Sequence, residues 1–282
     1  MADLRMSEGT TYVVGVSSGV ASAFTWSWAI DRYGADNVIG LFADVNGEDA
    51  DNYRFLEEVK FALGMPRLVK RGNDGRTIWD VFASEKFLGN TRASMCSRIL
   101  KFEACLKWMQ ENCPGDVEHL LGIDWTEEKR LVGYVDRNGK HHPGARERWA
   151  EAGIVVRAPM CEETLDKGHA LAWLAGLGIE PPSLTRDGFP HANCMGGCVR
   201  SGAKQFRKLL AERPAAFAWW EEGEERLRAQ IGDHSILRDR RGGTTKVLTL
   251  RQLRSEVQCG GDPTLFDADD RAACGCMGFD DE

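Results

Sequence analysis

Over its first two-thirds the chain alternates short, continuous apolar runs with stretches of helical spacing, and this pattern constrains its fold most. The runs at residues 12–16, 38–43, 66–70, 118–122 and 154–158 read as strands. Helical spacing covers 21–31, 51–63, 78–86, 97–110 and 165–177, and Gly34, Gly64 and Gly178 act as stops. Runs that are apolar throughout belong to strands buried on both faces. The pattern therefore predicts an α/β fold, a five-stranded parallel, Rossmann-like sheet with helices on both faces. In such sheets ligands bind beyond the carboxyl ends of the strands, which directs attention to residues 17–22, 44–52, 122–130 and 159–167. From 199 to 231 the sequence is helical and charged; beyond that it is polar and irregular and ends in a Cys-rich tail. The expected division is an α/β domain over 1–190 and a helical appendage with a cysteine motif and tail over 191–282.

Composition removes several classes. With 282 residues, 43% hydrophobic and 28% charged, the chain is long enough for a buried core and is neither disordered, collagen-like nor coiled coil throughout. A formal net charge of −7 gives no bulk signal for a polyanionic partner, although a local patch can still provide one. No apolar run approaches the roughly 20 residues of a membrane span. The first residues carry acids and no apolar signal core, so a cytoplasmic location and no membrane partner are expected. Nine cysteines, an odd number in a reducing compartment, point to free thiols that serve as ligands, nucleophiles or buried apolar residues.

The loop after the first strand brings together Ser17, Ser18, Gly19 and Ser22. Small residues at a strand-to-helix turn let backbone N–H groups approach an anion, though a serine-capped turn has the same composition. Asp44 ends the second strand, where a carboxylate can accept hydrogen bonds from a nucleoside; capping is its structural role. Arg98 and Lys101 are three apart on a helix and predict a shared cationic face for a phosphate or sulfate, against ordinary surface pairing. Gly122 and Asp124 close the fourth strand, and Arg130 can reach phosphates with Glu127 or Glu128 orienting it. Lys167 is a weaker candidate of the same kind.

The sharpest cysteine signal is Cys194 and Cys198, spaced by Met-Gly-Gly before a helix bearing Arg200, Lys204 and Arg207. One pair cannot close a tetrahedral site, so Cys96 and the tail residues Cys274 and Cys276 are the candidates to complete it. Zinc and an iron–sulfur cluster both suit four thiolates. Cys105, Cys113 and Cys161 read as buried apolar residues, and Cys259 is undecided. His191 is the one histidine placed to matter, and Trp219 and Trp220 read as core.

Taken in order, these elements resemble a known family. The loop at 16–22 is similar to the PP-motif of adenine-nucleotide α-hydrolase-like enzymes, and most to the Ser-Ser variant of phosphoadenylyl-sulfate (PAPS) reductases. Residues 42–56, 95–101, 121–130 and 193–200 resemble further segments of the PAPS-reductase-like proteins common in phages and mobile elements, so the resemblance spans roughly 11–230. Ala21 stands where the motif usually has Asp, and the reductases' Glu-Cys-Gly-Leu-His ending is absent. The resemblance implies an adenine nucleotide, ATP or an adenylyl-sulfate with or without Mg²⁺, held by Ser17, Ser18, Gly19, Ser22, Asp44, Gly122 and Asp124. It implies Arg98, Lys101 and Arg130 as catalytic cations and Cys274 and Cys276 as catalytic thiols. It favours a [4Fe–4S] cluster on Cys96, Cys194, Cys198 and Cys276, with zinc as the alternative. The reaction is then adenylyl-sulfate reduction or ATP-dependent sulfur transfer to an acceptor left open, nucleic acid included. A catalytically degenerate nucleotide-sensing or iron–sulfur component of a phage or defence complex is the other reading, and a homodimer is compatible with either.

Overall fold

The structure, a computed structural model, describes residues 9–88, 94–239 and 243–260. Strands β1 (Thr11–Gly15), β2 (Val38–Ala43), β3 (Leu68–Arg71) and β4 (Val117–Leu121) come first, followed by a small ribbon of β5 (Tyr134–Val135) and β6 (His141–His142), then β7 (Val155–Arg157). β1, β2, β3, β4 and β7 form one sheet in the order β3-β2-β1-β4-β7, and every pairing in it is parallel. The five-stranded parallel sheet read from the sequence is the sheet observed. β1 is central, and Val13 lies opposite Ile39 on one side and His119 on the other.

Helix α1 (Val20–Tyr33) follows β1, α2 (Ala50–Ala62) follows β2 and α3 (Ile78–Glu85) follows β3. One helical stretch then runs through α4 (Met95–Ser97), a π-helical segment (Arg98–Glu103) and α5 (Ala104–Asn112) into β4. Past β4 come α6 (Glu128–Val132), α7 (Ala145–Ala150), α8 (Pro159–Glu162), α9 (Lys167–Gly176) and α10 (Ser183–Arg186). The last part holds α11 (Ala203–Glu212), α12 (Pro214–Ile231), an antiparallel pair β8 (Leu237–Asp239) and β9 (Lys246–Leu248), and α13 (Leu250–Gln258).

Alternation along the strands feeds two cores. Val13, Ile39 and Leu41 pack with Met109 and Trp149 on the α5/α7 face, whereas Val14, Phe42 and Leu120 pack with Trp26 and Leu174 on the α1/α9 face. His119 sits within β4 against Trp149, fully buried, with Nδ1 2.9 Å from the Val13 carbonyl oxygen; burial pushes its pKa down to about 4, so it stays neutral. A third core joins Trp79 and Phe82 of α3 to Phe206, Phe217 and Trp220 of α11 and α12. The C-terminal helices therefore share a core with the segment after β3. Cys105 and Cys113 are buried in the α5/α7 core, as read from the sequence, and burial raises the Cys105 thiol to about 12.

The polar stretch expected to be irregular instead carries β8, β9 and α13. Its anchor is Glu224 of α12, fully buried, whose carboxylate accepts the N–H of Ile236 at 2.8 Å and that of Leu250 at 2.6 Å. Burial pushes this carboxyl up to about 7 from an ordinary 4.5. The native state thus holds a proton that the unfolded chain has released between those pH values, and this contribution is full below 4.5 and lost as pH rises through 7. The fall should amount to about 3 kcal/mol, and Glu224→Gln should flatten that part of the pH–stability curve in urea melts. An unchanged slope in the variant would exclude Glu224 as its source.

Candidate functional site

At the carboxyl ends of β1 and β4 a cavity of 370 Å³ opens against the start of α1. That volume lies in the range of small-ligand pockets. Gly15, Ser17, Gly19, Val20, Ala21 and Ser22 form one wall, and Gly122, Asp124, Thr126, Glu127 and Arg130 form a second. Lys167, Thr185 and residues 190–193 close the third side.

The first wall is organised by Ser22. Its hydroxyl accepts the Ser17 N–H at 3.1 Å and donates to the Gly19 carbonyl at 2.8 Å, which folds the loop back on the helix it precedes. No acidic residue lies in the first turn of α1, so the positive end of its dipole faces the cavity uncompensated. Ser18 takes a left-handed conformation (φ 54°), is buried beneath the loop and donates its hydroxyl to the Ser17 carbonyl at 2.6 Å. Ser17, Gly19 and Ser22 thus reach the cavity, while Ser18 supports the turn.

In the second wall Asp124 caps a short turn, its Oδ1 accepting from the Thr126 N–H at 2.9 Å and the Thr126 hydroxyl at 2.5 Å. Arg130 Nη1 lies 2.5 Å from Glu127 Oε2, and both residues line the cavity. Behind this wall the Cys161 thiol approaches the carbonyls of Ile123 and Asp124 at 3.2 Å, and burial raises it to about 11. It remains a protonated, half-buried thiol.

Other sequence candidates lie outside the cavity lining. The Asp44 carboxylate accepts the Asn46 N–H at 2.9 Å and the Tyr53 hydroxyl at 2.9 and 3.0 Å, and burial followed by the Asp44 contact raises the Tyr53 phenol. Arg98 and Lys101 do not share a face, because both lie in the π-helical segment, whose wider turn sets residues three apart further from a common face than an α-helix does. Arg98 is half-buried with Nε 3.5 Å from Glu103 Oε1, whereas Lys101 is buried with Nζ 3.5 Å from Glu48 Oε1. Glu48 is itself buried and accepts the Asn52 side chain and the Cys194 N–H, each at 3.2 Å.

That last bond ties the loop after β2 to the cysteine motif. Cys194 and Met195 both adopt left-handed backbone (φ 53° and 52°), a rare pairing for residues with a Cβ. Trp220 holds the turn by donating to the Cys194 carbonyl at 3.1 Å, and Gln205 by donating to the Gly196 carbonyl at 2.6 Å. Cys96 and Cys194 pack on the same apolar core, and Cys198 Sγ accepts the Arg200 N–H at 3.4 Å. Among the described residues no three His, Cys, Asp or Glu side chains are grouped to hold a metal ion. Cys274 and Cys276 lie outside the described residues.

No protein-family profile and no curated protein matches the sequence. In structure the chain is similar to phosphoadenylyl-sulfate (PAPS) reductase from Candida auris, solved as a phosphate complex, with 13% identity and a TM-score of 0.44 over 68% of this chain and 84% of that one. The likeness is one of fold. No helix among the described residues is long and apolar enough to cross a membrane.

Thr185 and residues 190–193 escaped sequence reading as cavity residues, apart from the suspicion attached to His191. They come from a turn-rich segment with no periodicity, and only its approach to β1 and β4 gives them a role. Gly122 makes that approach compact: a Cβ there would lie 2.5 Å from Ser22 N and 2.7 Å from the Ala21 carbonyl carbon. Gly122→Ala must push α1 from β4 and should cost about 1–3 kcal/mol. Gly19→Ala meets only Ser17 Oγ at 3.5 Å and should be near neutral. Urea midpoints for the two variants test this, and equal midpoints would refute it.

Proposed function

We propose that the chain binds an adenine nucleotide in the cavity between β1, β4 and α1 and uses it for sulfur chemistry. The observation that carries this reading is the convergence on one small cavity of an uncapped α1 N-terminus, the Ser17 and Ser22 loop, Arg130 and Lys167. Backbone N–H groups and two cations of different reach suit a phosphate chain, and Glu127 fixes the guanidinium of Arg130 for bidentate contact. Asp44 would serve this site indirectly, through the turn at Asn46 that its carboxylate holds. Lys101 would act by holding Glu48, and through it the cysteine turn, and Arg98 would supply charge at the protein surface.

Two reactions fit. In reduction, a Cys274 or Cys276 thiolate attacks the sulfur of an adenylyl-sulfate, the S–O bond to the phosphate breaks and the nucleotide leaves. The second thiol then displaces sulfite and closes a disulfide, giving up the two electrons that the sulfur gains. In transfer, an acceptor oxygen attacks the α-phosphorus of ATP and releases pyrophosphate, after which a sulfur nucleophile displaces AMP from the acceptor. Calorimetry with ATP, AMP and adenylyl-sulfates should show binding that weakens about tenfold or more in Arg130→Gln, since a charge-assisted contact to phosphate is lost. Sulfite formed with a thiol donor identifies reduction, and pyrophosphate formed with an acceptor identifies transfer. A folded protein that binds none of these nucleotides would end the reading.

A cluster or zinc ion belongs to the same proposal. No three of the described thiols are grouped, so Cys96, Cys194 and Cys198 would have to be drawn together with the tail's Cys276 to hold a [4Fe–4S] group or zinc. What supports them is the shared packing of Cys96 and Cys194 and the strained turn at Cys194. Iron, sulfide and zinc assays on anaerobically purified protein should find the group in the wild type and in Cys105→Ser, and lose it in Cys194→Ser. Equal metal content in all three would refute the assignment.

A further inference from the structure

The segment that forms the second cavity wall continues into a surface that binding a nucleotide does not need. Glu127 and Arg130 line the cavity, whereas Trp125 and Lys129 on the same stretch are exposed. The chain then rises into the β5–β6 ribbon, and its base is a close backbone crossing. A Cβ on Gly144 would lie 2.3 Å from Gly133 N, and one on Gly133 would lie 2.5 Å from the His142 carbonyl oxygen. At the tip, Asp136 Oδ1 accepts the N–H groups of Asn138 at 2.8 Å and Lys140 at 3.0 Å. The exit direction and the turn are therefore both fixed, although a two-residue pairing has little stability of its own.

This ribbon displays aromatic and apolar surface. Tyr134 stacks across the strands on His142, with centroids 4.7 Å apart and planes within 10°, and its ring remains 38% exposed. The next residue, Val135, is 63% exposed, and Trp125, earlier on the same segment, is 47% exposed. The surface is also basic. Residues 129–148 contain six lysines and arginines against two acids, in a chain whose formal net charge is −7. The neighbouring acids are mostly engaged: Glu127 by Arg130, Asp136 by the turn, Glu147 by His141 and Glu162 by Arg157. Glu128 is the exposed exception. Lys129, Arg137 and Lys140 are exposed and make no ion pair among the described residues. Unpaired cations interleaved with open rings suit a phosphodiester backbone whose bases are unstacked.

We propose that the β5–β6 ribbon docks a single-stranded nucleic acid, with phosphates on Lys129, Arg137 and Lys140 and bases stacked on Tyr134 and Trp125, and lays the strand across the cavity mouth. That the docked strand is the acceptor in the chemistry rests on the nucleotide reading; the docking itself does not. Fluorescence anisotropy with 12-nucleotide RNA and DNA oligomers, without added nucleotide and from 50 to 300 mM KCl, tests it on the full chain. Binding should weaken with salt. Arg137→Ala/Lys140→Ala should reduce the slope of log affinity against log salt by about 1.4, because each phosphate contact on a single strand contributes ~0.7. Tyr134→Ala should weaken binding about tenfold at an unchanged slope. A preference for either sugar supports docking and identifies the strand. Absence of binding at 50 mM KCl, equal affinity for polyglutamate, or wild-type binding by both variants would overturn the proposal. Calorimetry with ATP separates the two readings: all these variants should keep wild-type nucleotide affinity, and strand binding that survives in a protein unable to bind nucleotide removes the nucleotide reading alone.

Discussion

The buried pair of Glu48 and Lys101 is the constraint on which the arrangement around the cavity depends. Both side chains are almost fully removed from water, so each needs the other and its hydrogen-bond partners to remain charged there. Glu48 arrives from the loop after β2, Lys101 from the π-helical segment before β4, and the Cys194 N–H from the distant segment that closes the cavity. Asn52 adds a second strut by donating to the Ala192 carbonyl at 2.7 Å, one residue from the lining Asn193. The cysteine turn and the third cavity wall are thus fastened to the sheet by polar contacts in a dry place. Removing either charge would break a buried ion pair, a loss on the order of 3–5 kcal/mol.

The π-helical segment makes that pairing possible. A wider turn rotates the following residues relative to a regular α-helix and leaves carbonyls to be satisfied elsewhere. Asn73 meets that need by donating to the Leu100 carbonyl at 3.1 Å while also donating to the Asp44 carbonyl at 2.8 Å. The end of β2, the loop after β3 and the π-helical segment are therefore joined through one side chain. Asp44 shares in this through its backbone, and its carboxylate organises the turn at Asn46.

How much of this was legible depended on the range of the interactions. The strands of the sheet announce themselves because burial on both faces demands apolar residues at every position, and β2 is buried along its whole length. β3 was weaker in sequence for the same reason: it is an edge strand whose residues are half-buried or exposed. The residues of the first two cavity walls could be read because they directly follow β1 and β4. Lys101 was misplaced because a helical wheel assumes α-helical rotation, and nothing local in Arg98–Glu103 specifies a π turn. β8 and β9, three residues each, are too short to show alternation, although α13 does carry a capping box, Thr249 with Gln252, that marks its start.

The cysteine turn brings these strands of argument together. Two consecutive non-glycine residues in left-handed backbone cost about 1–2 kcal/mol each, so the turn persists only because its surroundings fix it. Trp220 and Gln205 hold its carbonyls from the C-terminal helices, and Glu48 holds its N–H from the sheet. The third core, which binds α11 and α12 to α3, keeps those two sets of contacts in register. A helical region that looks separable in sequence is therefore needed to hold residues 190–193 against the ends of β1 and β4. The cavity exists because the last third of the chain folds back on the first, and the strained turn is the joint between them.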